Sequence, residues 1–433
     1  MRLAALALTA LCLSTGAPAE SPPELIAYLP AERLATAAPQ TPALRALLSD
    51  PRVSNLALAE IAAERVAGGA LALTLPDGAA TRLSFEGIDR TTAADGARTL
   101  SASNLTLGST LALVLHGDEV AGTVQTPLGL YRIQSVGGGL TAVYRYDTRT
   151  LVDHPPGAPA LPERPAPLAP EAAPTPRETG ADGRTELDVI VAYTTAAARE
   201  VDGIGALIRL AVLETNQIYA TSGIPARLRL VHAYETPYEG PHDMRVDLER
   251  FTDGRDGHTD EIHGLRDAHA ADLAVLIVGK DKNACGYGWL HASEAFAFSV
   301  VAHVCATGYY SFAHEIGHNL GAHHNPEVST NAVHPHGHGL CASGWRTVMA
   351  YYAEDCPPRH PVFSSSAPVD GVTVGDASRR DNARVHRETT ARASRFRSRQ
   401  GGGGRRGLSV SDTENFGVGG AAAGEGQQLL IFD

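Results

Sequence analysis

One stretch restricts the fold and chemistry of this chain more than any other: Phe312-Ala313-His314-Glu315-Ile316-Gly317-His318-Asn319-Leu320-Gly321-Ala322-His323-His324. His314 and His318 stand four apart, which on a helix sets both imidazoles on one face, ~6 Å apart along the axis. Both then reach one zinc ion at roughly 2.0–2.1 Å. Glu315 follows His314 directly and falls beside the metal, where a general base for a water molecule belongs. A helix that simply continued would turn His324 away. Gly321 predicts a left-handed break that ends the helix and returns His324 as a third ligand. Three protein ligands leave a fourth position for water, which is the catalytic arrangement and not the structural one. A lone i, i+4 histidine pair also occurs on solvated helix faces; the full H-E-x-x-H-x-x-G-x-x-H spacing is far more demanding. The same spacing makes His323 a bystander, expected to face solvent.

The rest of the chain supports a soluble, exported protein. Its 433 residues are too many for one ordinary core, so two folded units are expected. A hydrophobic fraction of 43% is that of a globular protein. A formal net charge of -12 without any basic block argues against a nucleic-acid partner and against an anionic membrane surface. Arg2, the apolar run Leu3 to Leu13 and Ala17-Pro18-Ala19 read as a cleavable secretory signal over residues 1–19. That run is too short to span a bilayer. Cys12 could carry a lipid anchor, but Leu11 is too large for the preceding position. Cys12 leaves with the signal. Cys285, Cys305, Cys341 and Cys356 then form two disulfides with three possible connectivities, of which the spacings favour Cys285–Cys305 and Cys341–Cys356. A structural zinc site is the weaker reading, since no C-x-x-C pair exists.

Composition shifts sharply over residues 154–183, a Pro- and Ala-rich stretch that reads as an extended linker. Before it, residues 20–153 carry short β-like runs separated by Gly, Asp and Pro: Ala70 to Leu75, Thr110 to His116, Val120 to Gln125, Leu130 to Gln134 and Leu140 to Tyr146. After it, residues 184–398 alternate strands and helices. Leu187 to Tyr193, Leu228 to Val231, Leu273 to Val278 and Ala297 to Val304 read as strands; Ala206 to Tyr219 and Thr259 to His269 read as helices. This is an α/β (α+β) arrangement, a twisted mixed sheet flanked by helices. Residues 399–433 are Gly-rich and read as a disordered tail. No EF-hand loop or nonapeptide repeat occurs, so calcium gains no support.

Thr347-Val348-Met349-Ala350-Tyr351 follows the zinc motif within the same unit. The long zinc motif followed by a methionine turn resembles the metzincin clan of zinc metalloendopeptidases. The resemblance implies that Met349 packs beneath the metal as a hydrophobic floor, and that Tyr351 helps stabilise an oxyanion. Ordinary core packing is the alternative for each. Phe298-Ser299-Val300-Val301-Ala302 resembles the sheet edge that pairs with substrate backbone. Phe363-Ser364-Ser365 and Asp381-Asn382-Ala383-Arg384 resemble the tail of reprolysin-like domains. Together with Cys305-Ala306-Thr307-Gly308-Tyr309-Tyr310-Ser311, the set is most similar to bacterial peptidyl-Asp metalloendopeptidases, over roughly Arg184 to Arg397. Asn325 departs from the pattern, standing where reprolysin-type motifs have Asp.

The resemblance implies a monomeric enzyme hydrolysing extended protein or peptide substrates, with residues 20–153 as an inhibitory propeptide. No cysteine lies between Cys12 and Cys285 to cap a metal, so a carboxylate such as Asp118, or steric blockage, would have to keep the zymogen latent. A preference for an acidic residue after the scissile bond is also implied. It requires a cation in the pocket, which Arg supplies best; Arg346 and Arg359 are the candidates, and Asp182 and Asp188 the expected self-cleavage points. Two rival readings are an inactive binding module on the same fold, which Glu315 argues against, and a zinc amidase acting on cell-wall peptides.

Overall fold

Leu273-Ala274-Val275-Leu276-Ile277-Val278 has no polar face, as a strand covered on both sides requires, and in a computed structural model of the chain it lies inside the main sheet. The structure describes residues 22–38, 41–62, 70–77, 81–104, 108–153, 183–280, 282–329, 332–351, 356, 358–397 and, for the backbone, 429–432. The signal segment and nearly all of the Pro/Ala-rich linker lie outside the described residues.

The N-terminal unit is built from β1 (Ile26–Tyr28), α1 (Ala31–Ala37), α2 (Pro42–Ser49), β2 (Val53–Ile61), β3 (Ala70–Thr74), β4 (Arg82–Glu86), β5 (Asp89–Thr92), β6 (Arg98–Asn104), β7 (Ser109–His116), β8 (Glu119–Thr126), β9 (Gly129–Ser135) and β10 (Thr141–Tyr146). Eight strands form one antiparallel sheet in the order β1-β2-β10-β9-β8-β7-β6-β5, and β3 pairs with β4. Its core is Leu71, Phe85, Leu111, Leu113, Val124 and Tyr131. Asp118, a candidate latency residue, instead sits exposed in the hairpin turn between β7 and β8, where Gly117 takes φ +59°. It is an ordinary Gly-Asp turn residue.

The C-terminal unit runs β11 (Thr185–Thr194), α3 (Thr195–Glu200), α4 (Ile204–Thr221), β12 (Ala226–Thr236), α5 (Met244–Thr252), α6 (Glu261–Ala268), β13 (Leu273–Val278), β14 (Gly286–Leu290), β15 (Phe298–Ala302), α7 (His303–Ala306), α8 (Ser311–Leu320), β16 (Cys341–Ala342), β17 (Trp345–Arg346), α9 (Asn382–Ala393) and β18 (Leu429–Phe432). Its sheet has the order β12-β11-β13-β15-β14-β18; the first four strands are parallel, and β14 and β18 run antiparallel to their neighbours. Two expectations change here. Phe298 to Ala302 is not a sheet edge: β15 lies between β13 and β14 and is buried throughout, as its apolar sequence requires. The tail is also not without structure, because Leu429–Phe432 pairs with β14 over Tyr287 to Leu290.

The two units meet along α4. Ala206 and Leu210 pack on Ala112, Val114 and Ala121 of the N-terminal sheet. Arg132 Nη2 donates to the carbonyls of Val304 (2.6 Å) and Thr307 (3.1 Å), in the segment that leads into α8. Among the described residues no helix is long and apolar enough to cross a membrane.

Candidate active site

Helix α8 is entered through Tyr310 at φ 63° and left through Gly321 at φ 100°. Both are left-handed positions, and glycine holds the second without steric cost. Ala322 N–H then donates to the Gly317 carbonyl at 2.9 Å, closing the turn that carries the chain back toward the helix. This is the break expected at Gly321, and it delivers His324. The imidazole Nε2 of His324 lies 2.9 Å from that of His318 and 3.2 Å from that of His314. Nδ1 of His314 lies 2.8 Å from the Val348 carbonyl, and Nδ1 of His318 lies 3.0 Å from that of Ala322. These carbonyls require N–H at Nδ1 and so leave the Nε2 lone pairs converging. Ligand nitrogens around a tetrahedral zinc stand about 3.3 Å apart. The donor set therefore fits that metal, and the three histidines are fully or almost fully buried.

Glu315 is buried beside this cluster, against β14. A Cβ on Gly286 would collide with its Oε1, and one on Gly288 would lie 3.1 Å from its Oε2. Two glycines at alternate positions thus make the slot for the carboxylate, a role not legible in sequence. Gly317 is explained in the same way: a Cβ there would meet Met349 Sδ at 2.6 Å. Met349 is fully buried, with its Sδ against Gly317 of the helix. The Tyr351 ring lies 3.7 Å from that of His324 and 6.4 Å from that of His314, centroid to centroid. Asn325 Oδ1 accepts the Tyr351 N–H at 3.0 Å, so the amide in place of the usual carboxylate still ties the third-histidine loop to the methionine turn. His323 is buried, not solvent-facing: its Nδ1 accepts the His324 N–H at 2.8 Å and its ring stacks on His338.

Arg346 and Arg359 come together as neighbours, joined by backbone bonds from Arg346 N–H to the Pro358 carbonyl (2.9 Å) and from His360 N–H to the Arg346 carbonyl (2.8 Å). Both are buried. Disulfides link Cys285 to Cys305 and Cys341 to Cys356, with Cα–Cα distances of 5.5 and 5.7 Å, the pairing that spacing favoured. Asp188 is buried in β11 and ion-paired with Arg229 at 2.7 Å, so it is part of the sheet and not a self-cleavage point; Asp182 lies outside the described residues. A further group of possible ligands, His334, His336 and Glu388, shares its carboxylate with Arg384, whose Nε lies 2.7 Å from Glu388 Oε1.

Residues 183–364 match the family described as Metallo-peptidase family M12. A peptidyl-Asp metalloendopeptidase of Xanthomonas campestris pv. campestris is 31% identical over 410 residues, covering 90% of this chain and 97% of that protein. One of Stenotrophomonas maltophilia strain K279a is 34% identical over 299 residues, 67% of this chain and 71% of that protein. One of Pseudomonas fragi is 33% identical over 189 residues, 42% of this chain and the whole of that protein. Matched almost end to end by such a relative and carrying three convergent imidazoles, the chain belongs to metallo-peptidase family M12 and is a metzincin-type zinc metalloendopeptidase.

Proposed function

We propose that this protein is exported, made as a zymogen, and cuts extended polypeptides on the N-terminal side of acidic residues, with His314, His318 and His324 holding one zinc ion. The convergence of three Nε2 atoms beside a buried carboxylate carries this reading. Bound zinc supplies Lewis acidity toward a water molecule and the scissile carbonyl. Glu315 takes a proton from the attacking water and hands it to the departing amine. Its burial against Gly286 and Gly288 fixes the carboxylate for both transfers. Tyr351 offers its phenol to the developing oxyanion from beside His324. Substrate backbone adds as a strand to β14, on the edge where β18 pairs. Export is supported by residues 1–19 and by two disulfides, which persist in oxidising compartments. The acidic preference is supported by the name of the relatives, peptidyl-Asp metalloendopeptidase, and by the paired Arg346 and Arg359.

The test is Glu315→Gln. The variant is expected to fold and to retain zinc by elemental analysis, while peptide hydrolysis drops at least about 100-fold. Near-normal turnover by that variant, or hydrolysis by the parent that survives a chelator, overturns the reading.

A further inference from the structure

Two guanidinium groups buried side by side demand a counter-charge, because an uncompensated charge in the interior costs several kcal/mol per ion. Arg346 is 0% exposed and Arg359 4%. The anion between them comes from the end of the N-terminal unit. Asp153, the last described residue before the Pro/Ala-rich linker, is 7% exposed. Its Oδ2 lies 3.4 Å from Arg346 Nη2, and its Oδ1 lies 3.4 Å from Arg359 Nη2. The Tyr309 hydroxyl donates to Oδ1 and accepts from Arg346 Nη2 at 2.9 Å. Arg359 Nη1 also donates to the Tyr309 carbonyl at 3.0 Å. The result is a built carboxylate site whose partners lie 156 to 206 residues from Asp153 in sequence.

The location matters as much as the chemistry. Tyr309 and Tyr310 lead into α8, and the Tyr310 carbonyl accepts the His314 N–H. Arg346 stands three residues before Met349. One residue before Asp153, the Val152 carbonyl accepts the Cys285 N–H at 2.9 Å, immediately ahead of β14. The segment Leu151-Val152-Asp153 therefore enters beside the strand proposed to hold substrate, with an acidic side chain in the basic recess next to the metal-binding helix.

We propose that the Arg346–Arg359–Tyr309 recess is the pocket for the acidic side chain of the substrate, and that Asp153 fills it as a tethered pseudo-substrate that keeps the precursor latent. This rests on reading the chain as a zinc endopeptidase with an inhibitory N-terminal unit. Once the linker is cut, the Leu151–Asp153 segment leaves, and an incoming Asp or Glu restores the charge balance that the buried arginines require. Specificity and latency then use one site: the residue that best matches the pocket is also the best plug.

The experiment uses the full-length chain in three forms, parent, Asp153→Asn and Asp153→Glu, with intact mass followed alongside the initial rate on a quenched peptide carrying Asp after the scissile bond. Before any cleavage of the chain, Asp153→Asn is expected to be at least about tenfold more active than the parent, because a neutral amide gives up the ionic bonds. Asp153→Glu is expected to stay within about twofold of the parent. Adding the peptide acetyl-Leu-Val-Asp-amide to Asp153→Asn is expected to restore inhibition, and acetyl-Leu-Val-Asn-amide to do so at least about tenfold less well. Direct calorimetric binding of the two peptides to Glu315→Gln,Asp153→Asn gives the same contrast without turnover. Equal latency of parent and Asp153→Asn, or equal binding of the two peptides, overturns the proposal. Loss of latency in Asp153→Glu as well as Asp153→Asn also overturns it, since a mere packing defect would do that. If the processed parent shows no chelator-sensitive hydrolysis, the endopeptidase reading fails instead, and the calorimetric contrast still decides the pocket.

Discussion

At position 317 a hydrogen atom stands where any other residue would drive a methyl group into the sulfur of Met349. Spacing alone leaves that position open; here the Met349 side chain, packed against it, must shift to admit even a methyl group. Gly317→Ala is expected to destabilise the fold by about 1–3 kcal/mol through overpacking and to loosen zinc retention, read by thermal melting and by metal content after dialysis. An unchanged melting temperature would show that Met349 can move aside. Tyr351 has a different kind of role. Its ring lies against His324, and its backbone N–H donates to Asn325 Oδ1. Tyr351→Phe keeps the ring and removes only the hydroxyl, so kcat is expected to fall about 10- to 1000-fold with KM nearly constant. If KM rises while kcat holds, the phenol binds ground-state substrate and is not an oxyanion donor.

Strand β14 is where the elements converge. It pairs with β15 on one side, faces Glu315 with its glycines, and begins just after the disulfide that ties Cys285 to Cys305 in α7. Asn319 of α8 adds a clamp, its Nδ2 donating to the carbonyls of Trp289 (2.8 Å) and Phe298 (3.1 Å). Helix α8 is therefore fixed to β14 and β15. On its other edge β14 carries β18, an antiparallel partner of four residues. If substrate adds at that edge, as proposed, the tethered strand competes with it at a high effective concentration. Ending the chain at Gln428 is expected to raise kcat/KM on a long extended peptide roughly tenfold, through KM. An unchanged KM in the truncated protein would show that substrate binds elsewhere.

Across the whole molecule, the two units share a buried carboxylate. Glu214 of α4 accepts from Thr123 of β8 at 2.5 Å and from the Gly308 N–H at 2.9 Å, two residues ahead of Tyr310. Burial raises its pKa from 4.5 to about 7, against the opposing pull of those hydrogen bonds and of Arg132. The folded chain thus holds this proton more tightly than the unfolded one. The contribution to stability is complete below about pH 4.5 and is lost as pH rises through about 7, a change of roughly 3 kcal/mol. Glu214→Gln keeps the neutral form at every pH. Its melting temperature relative to the parent is therefore expected to be higher at pH 8 than at pH 5. The same offset at both values would show that Glu214 does not titrate in this window. Separation of the units is expected to become easier over the same range, since the carboxylate bridges them.

Much of the site was legible before any coordinates. The spacing of His314, His318, Gly321 and His324 needs only helical periodicity and one left-handed residue, and β13 ends where its apolar run ends because both of its faces are covered. Such features depend on neighbours within about ten residues. Helices α1 and α2 are not legible in sequence, because seven or eight residues carry too little periodicity. An apolar strand such as β15 reads the same at an edge and in an interior until its partners are known. Spacing cannot show that His323 is buried, because its burial depends on how the loop folds back to set Ser329 on its Nε2 and His338 against its ring. Local order along the chain brought His314, His318 and His324 to one point with Glu315 beside them, favoured the observed disulfide pairing, and set the alternation of strands and helices. Only the tertiary structure decided that Gly286 and Gly288 make room for Glu315, and that Asp153, not Asp118, meets the paired arginines. Those contacts join residues far apart in sequence, and their energy comes from burial, which no local pattern encodes.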